Sequence, residues 1–275
     1  MKKSFLTFCK KLTILSLICA LLMVFSSCSM ILDKLGSETE EHIDLSNGVI
    51  TEGIIDANFT VCLSSYDLNP FNKKINESIS QGSGVVFEKK ALEDEEYIYY
   101  VLTNNHVIYK KVGYYSHFDY TIRDCYGQIY SASVVALDPS YDLAVVSFKS
   151  KQAYNVLQFA SKNPIEGDRV VSIGQPLGII NAVTEGEVEK YLKVNLPSGD
   201  GTINEDISNV KFNVIKHNAP LNSGSSGGML LDKDYKICGI NYAAAVVEDS
   251  YEFVSGYAIP VESVKQFLLD SFYVE

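Results

Sequence analysis

From residue 54 onward, short apolar or alternating runs recur between turn residues. They fall at 59–63, 84–87, 97–102, 129–137 and 143–148, then at 170–174, 183–192, 210–214, 228–231, 237–247 and 256–259. Many short runs between turn signals predict β-strands, and together an all-β domain of barrels or sandwiches. A break over 150–168 divides them into two halves, about 54–150 and about 168–259. Behind the second half, residues 260–273 read as a closing helix. Pro260 suits its first turn, and Val261, Val264, Phe267 and Leu268 fall on one face.

The N-terminus follows another pattern. A basic stretch from Met1-Lys2-Lys3 to Lys10-Lys11 precedes an apolar run over 12–25, then Ser26-Ser27 and Cys28. That order is a secretory signal. A cysteine directly after small residues resembles the lipobox of bacterial lipoproteins. It implies a signal peptide over 1–27 and a lipid on Cys28. An uncleaved anchor helix is the alternative, but the run is short for a stable span. Residues 28–53 are rich in charge and lack strong periodicity, as expected of a tether. The folded domain is expected over 54–275.

Charge narrows the partners. The chain carries 23 basic and 34 acidic residues, a formal −11. Cleavage before Cys28 removes Lys2, Lys3, Lys10 and Lys11 and no acid, leaving −15. Such a body repels nucleic acid and anionic lipid, so membrane attachment would come from acyl chains. Six cysteines look like a disulfide set by count alone. With Cys9 and Cys19 in the signal and Cys28 lipidated, Cys62, Cys125 and Cys238 remain, in or beside apolar stretches. Buried free thiols are the expectation, with one pair as the alternative. The loop from Ser198 to Asp206 is rich in oxygen ligands, but its spacing does not match a helix-flanked calcium loop. No metal or cofactor is expected.

The candidate chemistry centres on Gly224-Ser225-Ser226-Gly227-Gly228, a serine in a glycine turn that enters an apolar run. A serine hydroxyl needs a base to take its proton and donors for the developing oxyanion. Of four histidines, His106 in Thr103-Asn104-Asn105-His106-Val107 stands upstream in a suitable context. His42 lies in the tether, His117 in an aromatic, polar loop, and His217 close before the serine. Asp142, opening the apolar run after Asp138-Pro139-Ser140-Tyr141, is the candidate carboxylate, with Asp138 as its rival. His, then Asp, then Ser is the chain order of the chymotrypsin-type triad.

These residues carry a resemblance to trypsin-fold serine proteases of the HtrA type, from about residue 54 to 267. Gln81-Gly82-Ser83-Gly84-Val85-Val86-Phe87 resembles the strand leading toward the family's histidine. Gly167-Asp168-Arg169-Val170 through Gly178 resembles its G-D-x-V-x-x-I-G-x-P-x-G segment, and 183–188 the strand after it. Gly239-Ile240-Asn241 and Gly256-Tyr257-Ala258-Ile259-Pro260 match its last two strands. The resemblance implies two six-stranded β-barrels with a C-terminal helix and a site in the cleft between them. It implies His106 as base, Asp142 as its orienting partner and Ser226 as nucleophile. Gly224, Ser225 and Ser226 would supply the oxyanion donors. Ser225, the rival nucleophile, does not directly precede the Gly-Gly pair. The substrate pocket would draw on Ile240, Asn241, Tyr242 and Ala243.

A lipid-anchored, extracytoplasmic, cofactor-independent serine endopeptidase acting on unfolded or surface polypeptides is therefore expected. A catalytically silent binding or adhesion scaffold of the same fold is the alternative. Members of the family often form homo-oligomers, though no feature here demands one. The PDZ domain that the family commonly adds after the helix is not expected here. Ser225 stands where digestive relatives carry an aspartate for a newly cut N-terminus, so activation by such a cut is not expected.

Overall fold

The apolar runs of the first half build a curled antiparallel sheet. The computed structural model of the chain describes residues 52–111, 113–175, 179, 181–194, 208–247 and 252–274. The signal segment, Cys28, the tether to residue 51, Pro176 to Gly178, the loop at 198–206, Glu248 and Asp249 lie outside them. A one-turn helix, α1 (Glu52–Ile55), leads into β1 (Asn58–Leu68), β2 (Lys74–Ala91) and β3 (Tyr97–Thr103). A second single turn, α2 (Asn105–Ile108), precedes β4 (His117–Arg123), β5 (Ile129–Ser131), β6 (Ser133–Asp138) and β7 (Leu143–Ser150). Their order is β5-β4-β1-β2-β3-β7-β6.

This half departs from the expected six-stranded barrel: it is an open seven-stranded sheet. Its edge strands β5 and β6 are joined through Ala132 alone, whose N–H donates to the Tyr120 carbonyl. So short a link turns a corner and leaves the two edges unpaired. The expected strand at 129–137 is accordingly two strands. His117, expected in a loop, opens β4 and stacks on Tyr66.

The second half is a closed barrel of β8 (Arg169–Gly174), β9 (Ala182–Leu192), β10 (Val214–His217), β11 (Met229–Leu231), β12 (Ile237–Val246) and β13 (Phe253–Pro260). Its order is β10-β13-β12-β11-β8-β9, closed by β9 on β10. Helix α3 (Val261–Phe267) and a π-helical turn (Leu268–Phe272) follow, burying Val261, Val264, Phe267 and Leu268 as the periodicity predicts.

Both halves share one apolar core, in which Phe59, Tyr99 and Phe148 of the sheet join Ile173, Ile240 and Phe267. The segment between the halves binds each in turn. Leu157 N–H donates to the Val86 carbonyl, and Ala160 and Ile237 are bonded through Ala160 N–H and the Ile237 carbonyl. Cys62, Cys125 and Cys238 are unpaired thiols. Only Cys238 is fully buried; Cys62 and Cys125 are partly accessible.

Candidate active site

The turn before β7 aims a carboxylate. Asp138 Oδ1 accepts from Ser140 N and Ser140 Oγ, and the Tyr141 and Asp142 N–H groups close onto the Asp138 and Pro139 carbonyls. The rival Asp138 thus shapes the turn. Asp142 itself sits at φ 49°, a left-handed conformation that Asp tolerates better than most residues. Its side chain is fully buried, and a buried carboxylate is costly unless bonded. Oδ2 lies 2.7 Å from His106 Nδ1, and Oδ1 accepts from His106 N at 2.9 Å. The Asp142 carbonyl accepts from Asn104 Nδ2 and Asn105 N. A carboxylate that accepts from Nδ1 leaves Nε2 as the free basic nitrogen of the ring. The imidazole side chain is 24% exposed.

The serine turn is held by its glycines. Gly224 and Gly227 have φ of 96° and 84°, where a Cβ would be strained. At Gly227 a Cβ would also lie 2.2 Å from the Ser83 carbonyl oxygen and 2.4 Å from Thr103 Oγ1. The turn therefore packs directly on β2 and on Thr103 at the end of β3, two residues before the α2 segment that carries His106. Ser83 N–H donates to the Ser226 carbonyl at 2.7 Å. The Ser226 hydroxyl points to the Tyr242 carbonyl oxygen at 3.5 Å, and no bond from it to His106 is closed among the described residues.

The expected site residues separate by role. His106 and Asp142 are brought into contact, and Ser226 stands in the turn beside them. Ser225 differs from its expected role as an oxyanion donor, because its N–H is spent on the Asn222 carbonyl. Its buried hydroxyl accepts from Asn222 N. Among the described residues, the N–H groups of Gly224 and Ser226 have no acceptor. In β12, Ile240 and Asn241 are wholly buried, and Asn241 Nδ2 donates to Ser172 Oγ. Those two side chains belong to the barrel interior rather than to an open pocket wall. Tyr242 is buried too, its hydroxyl 3.3 Å from Ser208 Oγ, and burial pushes its pKa up to about 12. Accessible surface on this strand begins at Ala243. Sequence reading passed over Asn104 and Ser83 as site residues; the glycines on either side of Ser83 were the available cue.

Comparison with known proteins agrees with this architecture. A model of the trypsin-like peptidase domain matches residues 82–240. The chain is 34% identical over 194 residues to "Serine protease Do-like HtrA" of Bacillus subtilis, covering 67% of this chain and 37% of that protein. It is 31% identical over 204 residues to "Probable periplasmic serine endoprotease DegP-like" of Chlamydia pneumoniae, covering 70% and 38%. It is 30% identical over 167 residues to "Periplasmic serine endoprotease DegP" of Salmonella typhimurium, covering 60% and 32%. The chain thus spans well under half the length of these relatives. Fold, matched residues and named relatives agree, and the chain belongs to the trypsin-like peptidase family.

Proposed function

We propose that this protein is an HtrA-like serine endopeptidase in which Ser226, His106 and Asp142 act as one unit. The observation that carries the reading is the buried Asp142 carboxylate, bonded to both His106 Nδ1 and His106 N beside the Ser226 turn. In the first step Ser226 Oγ bonds to the scissile carbonyl carbon while His106 Nε2 takes the hydroxyl proton. Asp142 holds the ring by its Nδ1–H and stabilises the imidazolium. The carbonyl oxygen, now negative, faces the N–H groups of Gly224 and Ser226. His106 then returns the proton to the leaving amine, and water hydrolyses the acyl-enzyme by the same steps. The Ser226 hydroxyl must first rotate from the Tyr242 carbonyl toward Nε2; bonds of this kind often tighten only once substrate binds.

Unfolded or exposed polypeptides are the proposed substrates, and an extracytoplasmic location, as in the names of the relatives, is the proposed setting. Lipidation of Cys28 would tie the protein to the membrane. Fluorophosphonate labelling of the purified protein, with mass mapping, tests the centre. Modification of Ser226 is expected, with loss of about 10⁴-fold or more in turnover for Ser226→Ala, His106→Ala or Asp142→Ala singly. The double variants should lose little more than the singles. Casein digestion by Ser226→Ala at the parental rate would refute the assignment. An unlabelled, inactive parent would favour a silent scaffold.

A further inference from the structure

We propose that Ser83 is a positioning residue of this centre, one whose hydroxyl fixes the peptide planes that aim the oxyanion donors. The inference rests on the protease reading above. Ser83 lies on β2 of the open sheet and is fully buried. It forms four hydrogen bonds, each of 2.7 Å. Oγ donates to the Gly224 carbonyl and accepts from Gln175 N. N–H donates to the Ser226 carbonyl, and the Ser83 carbonyl accepts from Thr103 Oγ1.

These bonds grip the nucleophile turn on both sides of Ser226 N. The peptide joining Gly224 to Ser225 is held at both ends, its carbonyl by Ser83 Oγ and its N–H by the Asn222 carbonyl. The peptide joining Ser226 to Gly227 is held likewise, its carbonyl by Ser83 N–H and its N–H by the Asn241 carbonyl. Between them lies the peptide that carries Ser226 N–H, with its Ser225 carbonyl bonded to Gly228 N–H. Two fixed outer planes leave the middle one little freedom, so Ser226 N–H is pre-aimed. Gly224 is the joint where this grip matters most. At φ 96° and without a Cβ, its following peptide can turn at little steric cost unless the carbonyl is tied.

The hydroxyl is itself directed. Because Oγ accepts from Gln175 N, its single proton is free to go only to the Gly224 carbonyl, and a donor that also accepts is strengthened. The surroundings leave room for this contact. A Cβ on Gly174 would stand 3.0 Å from Ser83 Oγ, and one on Gly82 would stand 2.8 Å from the Ser226 carbonyl oxygen. Substitution of Ser83 by Ala removes the tie on Gly224 but keeps the backbone tie on Ser226. A donor set without preorganisation loses transition-state stabilisation while ground-state binding persists.

The test compares the parent with Ser83→Ala and Ser83→Cys in peptide hydrolysis, inhibition by a peptide boronic acid, and thermal melting. The boronate forms a tetrahedral adduct whose oxygen occupies the oxyanion position. For Ser83→Ala, kcat is expected to fall about 10- to 100-fold with KM within about threefold, less than for loss of a direct donor. Boronate affinity should fall in step with kcat. Ser83→Cys, with a weak thiol donor, should fall between parent and Ala. Parental kcat and boronate affinity in a folded Ser83→Ala would overturn the proposal even if its melting temperature drops, since that pattern marks a joint between the halves alone. Should Ser83→Ala not fold, parental boronate affinity in Ser83→Cys overturns it equally. A parent that neither cleaves peptide nor takes the boronate at Ser226 removes the protease reading, and this inference with it.

Discussion

His217 is fully buried on β10, and neither ring nitrogen closes a hydrogen bond. Its ring fills the space left by Gly256, whose Cβ would stand 2.3 Å from the imidazole Cε1. Burial pushes its pKa from 6.5 down to about 4, outweighing the Glu189 carboxylate and the nearby Ala219 backbone, whose approach to the ring falls short of hydrogen-bond geometry. The sign follows from which state holds more protons. Between pH 6.5 and 4 the unfolded chain is protonated here and the folded one is not. Stability is therefore full above about pH 6.5, falls as pH drops toward 4, and is flat below that for this group, by about 3 kcal/mol in all. Denaturant midpoints measured across that range should show the loss in the parent, and His217→Leu should lack this component. Parallel profiles would show that His217 does not titrate as its burial requires. The candidates His106, Asp142 and Ser226 each sit in a local sequence pattern. The hold of Ser83 on Gly224 links residues 141 apart, and no local pattern carries it.

Strand β12 shows where pattern reading succeeds and stops. Its run at 237–247 gives the element almost to its observed ends, Ile237–Val246. Which side chains reach a substrate is a tertiary matter. Bulges between Asn241 and Ala243 and between Ala245 and Val246 shift the pairing with β13 and with it the facing of each residue. The apolar pattern of strand β2 covers only 84–87, because residues 74–81 are mostly polar and exposed and gain strand form by pairing with β1. Strand β10 was expected at 210–214 and runs Val214–His217, its register set by β9 and β13. The accessible end of β12 offers Ala243, Ala244 and Ala245, opposite Tyr257, Gly256 and Ser255. The segment from Ala219 to Ser225 contributes Pro220 and Leu221 and no carboxylate. A buried Lys or Arg side chain would find no partner there, a costly outcome. Cleavage after Val, Ala, Ile or Leu is therefore expected, with modest discrimination by size. Digestion of a peptide library read by mass spectrometry checks this, and a dominant preference for Arg or Lys would refute it.

Each half carries part of the proposed centre: His106 and Asp142 adjoin strands of the sheet, and Ser226 stands in the turn before β11 of the barrel. The placement of these motifs in two halves was legible from their order, whereas the unclosed first half was not, because closure depends on how edge strands meet around Ala132. Attachment to a membrane needs a separate device. Among the described residues no helix is long and apolar enough to cross a bilayer. A chain cleaved before Cys28 carries a formal −15, so an anionic lipid surface repels the folded body. The lipid proposed on Cys28 would overcome that repulsion through buried acyl chains, which contribute about 0.8 kcal/mol per methylene and need no charge. An electrostatic attachment would be screened away by salt, while an acyl one would persist. Membranes from expressing cells, washed in molar salt, should therefore retain the protein and release it to detergent. Cys28→Ser should leave an uncut precursor or a protein free in the extracytoplasmic fraction. Release of the parent by salt alone, or an intact mass showing an unmodified Cys28, would refute lipid anchoring and leave the folded body to find its substrates in solution.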